Sequence, residues 1–281
     1  MNSFVQQQTA ERFSKWREAL EGLDKHPDKA KAIHDLRVAI RRLTQCLRIF
    51  EAHFDSDEVK RYTKRLHRLM GRCGQARNYD VGLDLLTAAG LGKSSAAMRT
   101  LAKGRKAADR NLSAELNKWV GHKRSKEAAL PAALEPGKEL GNPLAGLTKE
   151  FFEAGCKAAL AGSSYQDMHT FRVQAKHFRY SVEIFEPRLD AAAVAPVLDS
   201  LRELQDKLGE MNDCVAALGL LKHHKRATAI LEALLVTREE AFRTEWKRRF
   251  NAKKEHLWTS TFSGTAKRSP SPPRSRTRRA A

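Results

Sequence analysis

Apolar residues recur at steps of three and four along most of this 281-residue chain. Between His34 and Phe50, the residues Leu36, Ile40, Leu43, Leu47 and Phe50 share one side of a wheel drawn at about 100° per residue. The same periodicity predicts helices over residues 3–22 (stopped by Gly22), 28–54, 56 to about 71–74, on to about 86, and 94–120. Asp55 or Ser56 is placed to cap the third of these. Residues 130–147 hold three prolines and three glycines and read as a connector. Helices are expected again near 149–160, over Tyr165–Phe185, over 191–208 and 211–224 with a break at Gly209, and over 227–250. No segment alternates with a period of two between turn signals, so no sheet is expected.

The pattern repeats. HDLRVAIRRLTQCLRIF at 34–50 aligns with HTFRVQAKHFRYSVEIF at 169–185 without a gap, at an offset of 135 residues. At the same offset Leu66 matches Leu201, Leu69 matches Leu204, Arg72 matches Lys207 and Gly74 matches Gly209. A register held over this length predicts a duplicated helical unit: an all-α chain of two four-helix bundles. The expected boundaries are 1–129 for the first bundle, 130–147 for the connector, 148–258 for the second bundle and 259–281 for a basic tail. That tail, rich in Ser, Pro and Arg with no apolar anchor from 264 onward, reads as disordered.

Charge changes the picture. Lys and Arg number 52 against 33 Asp and Glu, a net +19. The six basic groups of residues 264–281 leave a net +13 on the rest, so the body itself is basic. Such a balance points to a polyanionic partner or an anionic surface. Four scattered cysteines without a C-x-x-C pair, each in an apolar helical context, read as small hydrophobes in a reducing compartment. The first residues carry no secretory pattern and no apolar run approaches ~20 residues, so a cytoplasmic protein without membrane insertion is expected.

The basic residues are ordered. His34, Arg37, Arg41, Gln45 and Arg48 form a stripe opposite the apolar face, flanked by Arg42, with no acid between Leu36 and Phe50. In the copy, His169, Arg172, Lys176 and Tyr180 take the same stripe, with Arg179 beside it. A solvated helix face mixes signs for pairing four residues apart, and like charges at this spacing repel by a few tenths of a kcal/mol. An unbalanced stripe occurring twice therefore reads as a polyanion site. Arg61, Arg65, Arg68 and Arg72 form a further stripe, with Lys60, Lys64 and His67 nearby, and Lys207 keeps part of it in the copy.

Catalytic signatures are absent from the sequence: no P-loop, G-x-G-x-x-G, H-E-x-x-H or G-x-S-x-G occurs. Neither His34 nor His169 has a second ligand at metal spacing, so no metal or other cofactor is expected. Both read instead as phosphate donors. Acids near the basic helices, such as Asp80, Glu183, Glu210 and Asp213, are expected to pair with and orient Arg and Lys.

At these residues the sequence resembles the CHAD domain, the histidine-containing α-helical domain. The resemblance rests on HDLRVAIRRL at 34–43, GQARNYDV at 74–81, H-x-x-R-x-x-x-K-x-x-R-Y-x-x-E across 169–183, and L-x-x-L-Q-D-x-L-G-E-M-N-D across 201–213. It covers about residues 25–250. It implies two four-helix bundles about a pseudo-two-fold axis and non-catalytic binding of inorganic polyphosphate in a basic cleft or pore, often with localisation to polyphosphate granules. The positions it carries over are His34, Arg37, Arg41, Arg42, His169, Arg172, Lys176, Arg179 and Tyr180. Thr44, Asn78 and His177 depart from its pattern. A nucleic-acid-binding protein using the basic body or tail, and a phosphohydrolase using the acids, are the alternatives. Only Tyr180 offers a ring on the stripes, whereas single-strand binders usually interleave stacking rings with cations.

Overall fold

A computed structural model describes residues 3–26, 30–121 and 141–263. Among these residues every regular element is helical. Nine α-helices follow one another: α1 (Ser3–Lys25), α2 (Ala30–Ile49), α3 (Ser56–Ala88), α4 (Ala96–Gly121), α5 (Leu144–Ala158), α6 (Tyr165–Phe185), α7 (Ala191–Leu220), α8 (Lys225–Arg249) and α9 (Ala252–Ser263). Short 3-10 turns at Glu51–His53 and Glu186–Arg188 close α2 and α6, themselves 135 residues apart.

Local chemistry sets several boundaries. The Glu58 N–H donates to the Asp55 carboxylate at 2.8 Å, which starts α3. Ser164 and Asp167 form a reciprocal capping box at the start of α6. The Leu144 N–H donates to the Asn142 side chain at 3.0 Å, so α5 begins inside the stretch expected to be connector. The rest of that stretch, 130–140, lies outside the described residues, as do 264–281 of the tail.

The glycine signals misled. α1 runs through Gly22 to Lys25, α3 through Gly71 and Gly74, and α7 through Gly209, with none of these glycines at positive φ. A helical glycine costs about 1 kcal/mol against alanine. In α3 that cost is outweighed by the unbroken buried row Tyr62, Leu66, Leu69, Cys73 and Ala76; in α7 the row is Leu201, Leu204, Leu208 and Met211. α4 is sparse in large apolar residues, yet it buries Leu101, Leu112, Leu116 and Trp119. α9 continues to Ser263, past the expected edge at 258, because Phe262 is buried against Phe178 (ring centroids 5.9 Å apart). Cys46, Cys73 and Cys214 are buried, but Cys156 is exposed, at the edge of the face of α5 that buries Phe151, Phe152 and Gly155.

The two halves share one core. α2 packs on α6 and α3 on α7, and these are the helices matched by the sequence repeat. The matched residues Phe50 and Phe185 touch edge-on at 6.4 Å, and Phe4 of α1 lies against both. From there the apolar core continues into the rings of Phe151, Phe171, Phe178, Trp246 and Trp258. A smaller cluster under α4 and α8 holds Leu86, Leu101, Leu221 and Leu231. The expected bundles are therefore fused along the α2–α6 and α3–α7 seams.

Candidate functional site

Four polar contacts tie α2 to α6. The Arg41 Nε–H donates to the Tyr180 hydroxyl at 3.1 Å, and the Gln45 amide donates to Ser181 Oγ at 3.0 Å. Arg42 grips the Glu183 carboxylate through Nε and Nη2, at 3.0 and 3.2 Å. Arg48 Nη1 meets His177 Nδ1 at 3.0 Å. Leu36, Ile40, Leu43 and Leu47 hold α2 in the core beneath, so its basic side is carried on a rigid face.

Between α2, α3 and α6 lies a cavity of about 710 Å³. Its basic residues are Arg37, Arg41 and Arg48 from α2, Lys60 and Lys64 from α3, and Arg172 and Lys176 from α6. Glu51 is the one acid among its lining residues. The stripe of α2 and the matching stripe of α6 thus open onto one space.

Crowding of like charge shows in the ionisation of the walls. Burial, then Arg41 and more weakly Arg172 and Arg77, lowers Arg37 to about 10, so it stays charged at neutral pH. Arg172 is also lowered, by burial first, with Asp213 opposing. Lys176 falls furthest, to about 6, through burial and then the charges of Arg172, Arg41 and Arg37, against a weaker pull from Asp213. Burial and then Arg48 lower His177. Asp213 itself is raised by burial, against Arg172 and Arg77.

Of the residues expected from sequence, Arg37, Arg41, Arg48, Lys64, Arg172, Lys176 and Tyr180 line this cavity. The others lie elsewhere. His34 and Arg42 border a separate groove of about 410 Å³ beside Arg12 and Lys15 of α1. His34, though exposed, is lowered by partial desolvation and then by Arg41. Arg179 pairs with Glu183 at 3.8 Å, so Glu183 holds two of the expected cations. His169 turns toward a space of about 20 Å³ shared with Arg172 and Asn212, where its Nδ1 and the Arg172 Nε are buried without a hydrogen-bond partner.

On α3 the cavity takes the other flank of the helix. Lys60, Thr63, Lys64, His67 and Met70 face it on one side of the buried row. Arg61 and Arg68 are exposed on the opposite flank, Arg65 lies 4.4 Å over the Trp119 ring, and Arg72 donates to Gln75 at 3.3 Å. Lys207 is half-buried on α7 and does not line the cavity. Lys60, His67 and His177 are lining residues absent from the expected site. Their signal was the i, i+4, i+7 spacing of Lys60, Lys64 and His67, which competed with the stronger arginine stripe.

Of the acids expected to orient the basic residues, Glu183 pairs with Arg42 and Arg179, whereas Asp80 accepts from Arg105 of α4 at 2.6 Å and Glu210 lies 3.7 Å from Arg238 of α8, away from the cavity. Tyr180 is buried and its hydroxyl is engaged by Arg41, so its ring is not free to stack on a base. Among the described residues no helix is long and apolar enough to cross a membrane.

The fold and the cavity define an all-helical protein whose two halves meet around a cation-lined space. A family model for the CHAD domain matches residues 7–222, and the chain belongs to the CHAD domain family. Among solved structures it is similar to PptA from Streptomyces chartreusis, with a TM-score of 0.60 and 17% identity over 87% of this chain and 97% of that one. It is also similar to the CHAD domain from the plant Ricinus communis, with a TM-score of 0.52 and 17% identity over 90% of this chain and 91% of that one. These likenesses show the fold. No curated protein matches the chain significantly.

Proposed function

We propose that this protein binds inorganic polyphosphate, without catalysis, in the cavity between α2, α3 and α6, and that this binding recruits it to polyphosphate granules. The observation that carries the reading is the convergence of Arg37 and Arg41 with Arg172 and Lys176 on one space lined by a single acid, Glu51. Cations held together in a protein interior repel one another; a chain of phosphates relieves that repulsion and supplies acceptors for every guanidinium fork. Membership of the CHAD family supports the same ligand. Among the described lining residues Tyr180 alone is a Phe, Tyr or Trp, and its hydroxyl is held by Arg41, which favours a base-free phosphate chain over single-stranded nucleic acid.

Filter-binding competition of long-chain polyphosphate against RNA and DNA, repeated at several salt concentrations, tests this. Polyphosphate should compete best at about 150 mM salt, with log affinity falling by roughly 0.7 per neutralised phosphate for each log unit of salt. RNA of equal charge binding as tightly as polyphosphate sinks the proposal in favour of nucleic acid. Release of phosphate from tripolyphosphate with Mg²⁺ sinks its non-catalytic part.

A further inference from the structure

Polyphosphate binding does not account for two features of the cavity. One is an apolar wall: Val59, Met70 and Val173 line the same space as the cations. A phosphate chain has nothing to offer such a wall. The other is the side chain of Lys176. It has no hydrogen bond or ion pair among the described residues, and it lines the cavity. Arg37 and Arg41 face it from α2, Arg172 from its own helix and Asp213 from α7; Lys64 and His67 of α3 line the same space. A lysine desolvated beside other cations is a free amine at neutral pH, which is how such a residue becomes a nucleophile.

We propose that Lys176 is a reactive amine that takes a phosphorylated aldehyde as a reversible imine, with Arg37, Arg41 and Arg172 gripping the phosphate and the apolar wall receiving the body of the ligand. The Nζ lone pair adds to the carbonyl carbon, a proton passes from nitrogen to the carbonyl oxygen, and water leaves as the C=N bond forms. The buried setting favours that last step by limiting the return of water. This site shares the phosphate grips of the polyphosphate reading but depends on its own chemistry at Lys176. Its ionisation supports the chemistry, since Lys176 sits near 6 where an exposed lysine stays protonated.

The test uses the full chain and pyridoxal 5′-phosphate as the probe, with borohydride reduction to fix any imine and mass mapping of the modified lysines. The expected result is a reduced adduct concentrated on Lys176. Pyridoxal, which lacks the phosphate, should label it about tenfold less or weaker still, the worth of a charged hydrogen bond. The adduct should form with half-maximal rate near pH 6 rather than near pH 10. Label scattered over exposed lysines such as Lys31 and Lys149, or equal labelling by pyridoxal, overturns the proposal. Selective labelling of Lys176 in a protein that binds no polyphosphate leaves this inference standing and sinks the earlier one. Tight polyphosphate binding with scattered labelling does the reverse.

Discussion

Arg48 Nη1 and His177 Nδ1 stand 3.0 Å apart across the α2–α6 crossing. A guanidinium can only donate, so His177 accepts through Nδ1 and its ring is neutral. At the 135-residue offset, Arg48 and His177 correspond to Glu183 and Arg42. That equivalent pair, on the other side of the crossing, is a two-pronged ion pair at 3.0 and 3.2 Å. One side of the crossing is therefore neutralised by Glu183. The other keeps its positive charge, and both Arg48 and His177 line the cavity.

Ligand binding should take up protons. Lys176 sits near 6 in the free protein, chiefly through burial and then Arg172, and burial and Arg48 lower His177. A polyanion raises both. Affinity for polyphosphate should thus tighten as pH falls from 8 toward 6, by up to about tenfold per pH unit for each proton taken up, and level off below. Calorimetric titration at pH 7 in two buffers of different ionisation heat reads the uptake; equal heats in both would contradict it.

The ligand-free protein should show the opposite trend. The unfolded chain holds a proton on Lys176 up to its ordinary value of 10.5, while the folded chain releases it near 6. Between those two values the unfolded state binds more protons, so this group makes stability rise with pH across the window. Denaturant midpoints for wild type and Lys176→Met, measured from pH 6 to pH 9, check this: the wild type's rise should be flatter in the variant.

Binding should track the cavity, not the sum of basic residues. Arg37→Gln with Arg172→Gln removes two forks from the walls, each worth about tenfold or more, and should abolish measurable binding with helicity intact by circular dichroism. Arg61→Gln with Arg68→Gln removes equal charge from the exposed flank of α3 and should change Kd by less than about threefold at 0.15 M salt, where distant surface charge is screened. Equal losses in the two pairs would move the site off the cavity.

Gly74→Ala should separate binding from stability. A Cβ there would come 2.8 Å from Arg37 Nη1, the mobile end of that side chain, and would push the guanidinium out of its place. Alanine otherwise favours the helix by about 0.5–1 kcal/mol. Weaker polyphosphate binding with an unchanged or raised Tm is expected, and retained affinity would show that Arg37 tolerates the shift.

Gly155→Ala should do the reverse. Its Cβ would overlap the ring of Trp246, which is packed among Phe151, Phe152 and Phe250 and has nowhere to go. Overpacking of this kind costs about 1–3 kcal/mol. A lowered urea midpoint checks it, and binding measured well below the transition should be unaltered, since Gly155 is remote from the cavity walls.

The helices, their apolar faces and the basic stripes of α2 and α6 were legible in the sequence. Each rests on residues three and four apart, a relation set inside one helix whatever surrounds it. The glycines were misread for the complementary reason. Gly74 and Gly209 look like stops in isolation, yet buried rows on either side, Leu69 and Cys73 then Ala76 and Val81 in α3, Leu204 and Leu208 then Met211 and Cys214 in α7, carry the helices through them.

What the chain alone determined, then, is an all-α protein with cations placed on matching faces of two related helices. Tertiary structure decided which of those cations form a site. The α2–α6 crossing brought Arg37 and Arg41 to Arg172 and Lys176, while Glu183 drew Arg42 and Arg179 aside. The packing of α3 turned Lys60, Lys64 and His67 to the cavity and left Arg61 and Arg68 in solvent. Spacing fixes which residues share a face, but where that face points is fixed by the rotation of the helix as its buried row meets the core.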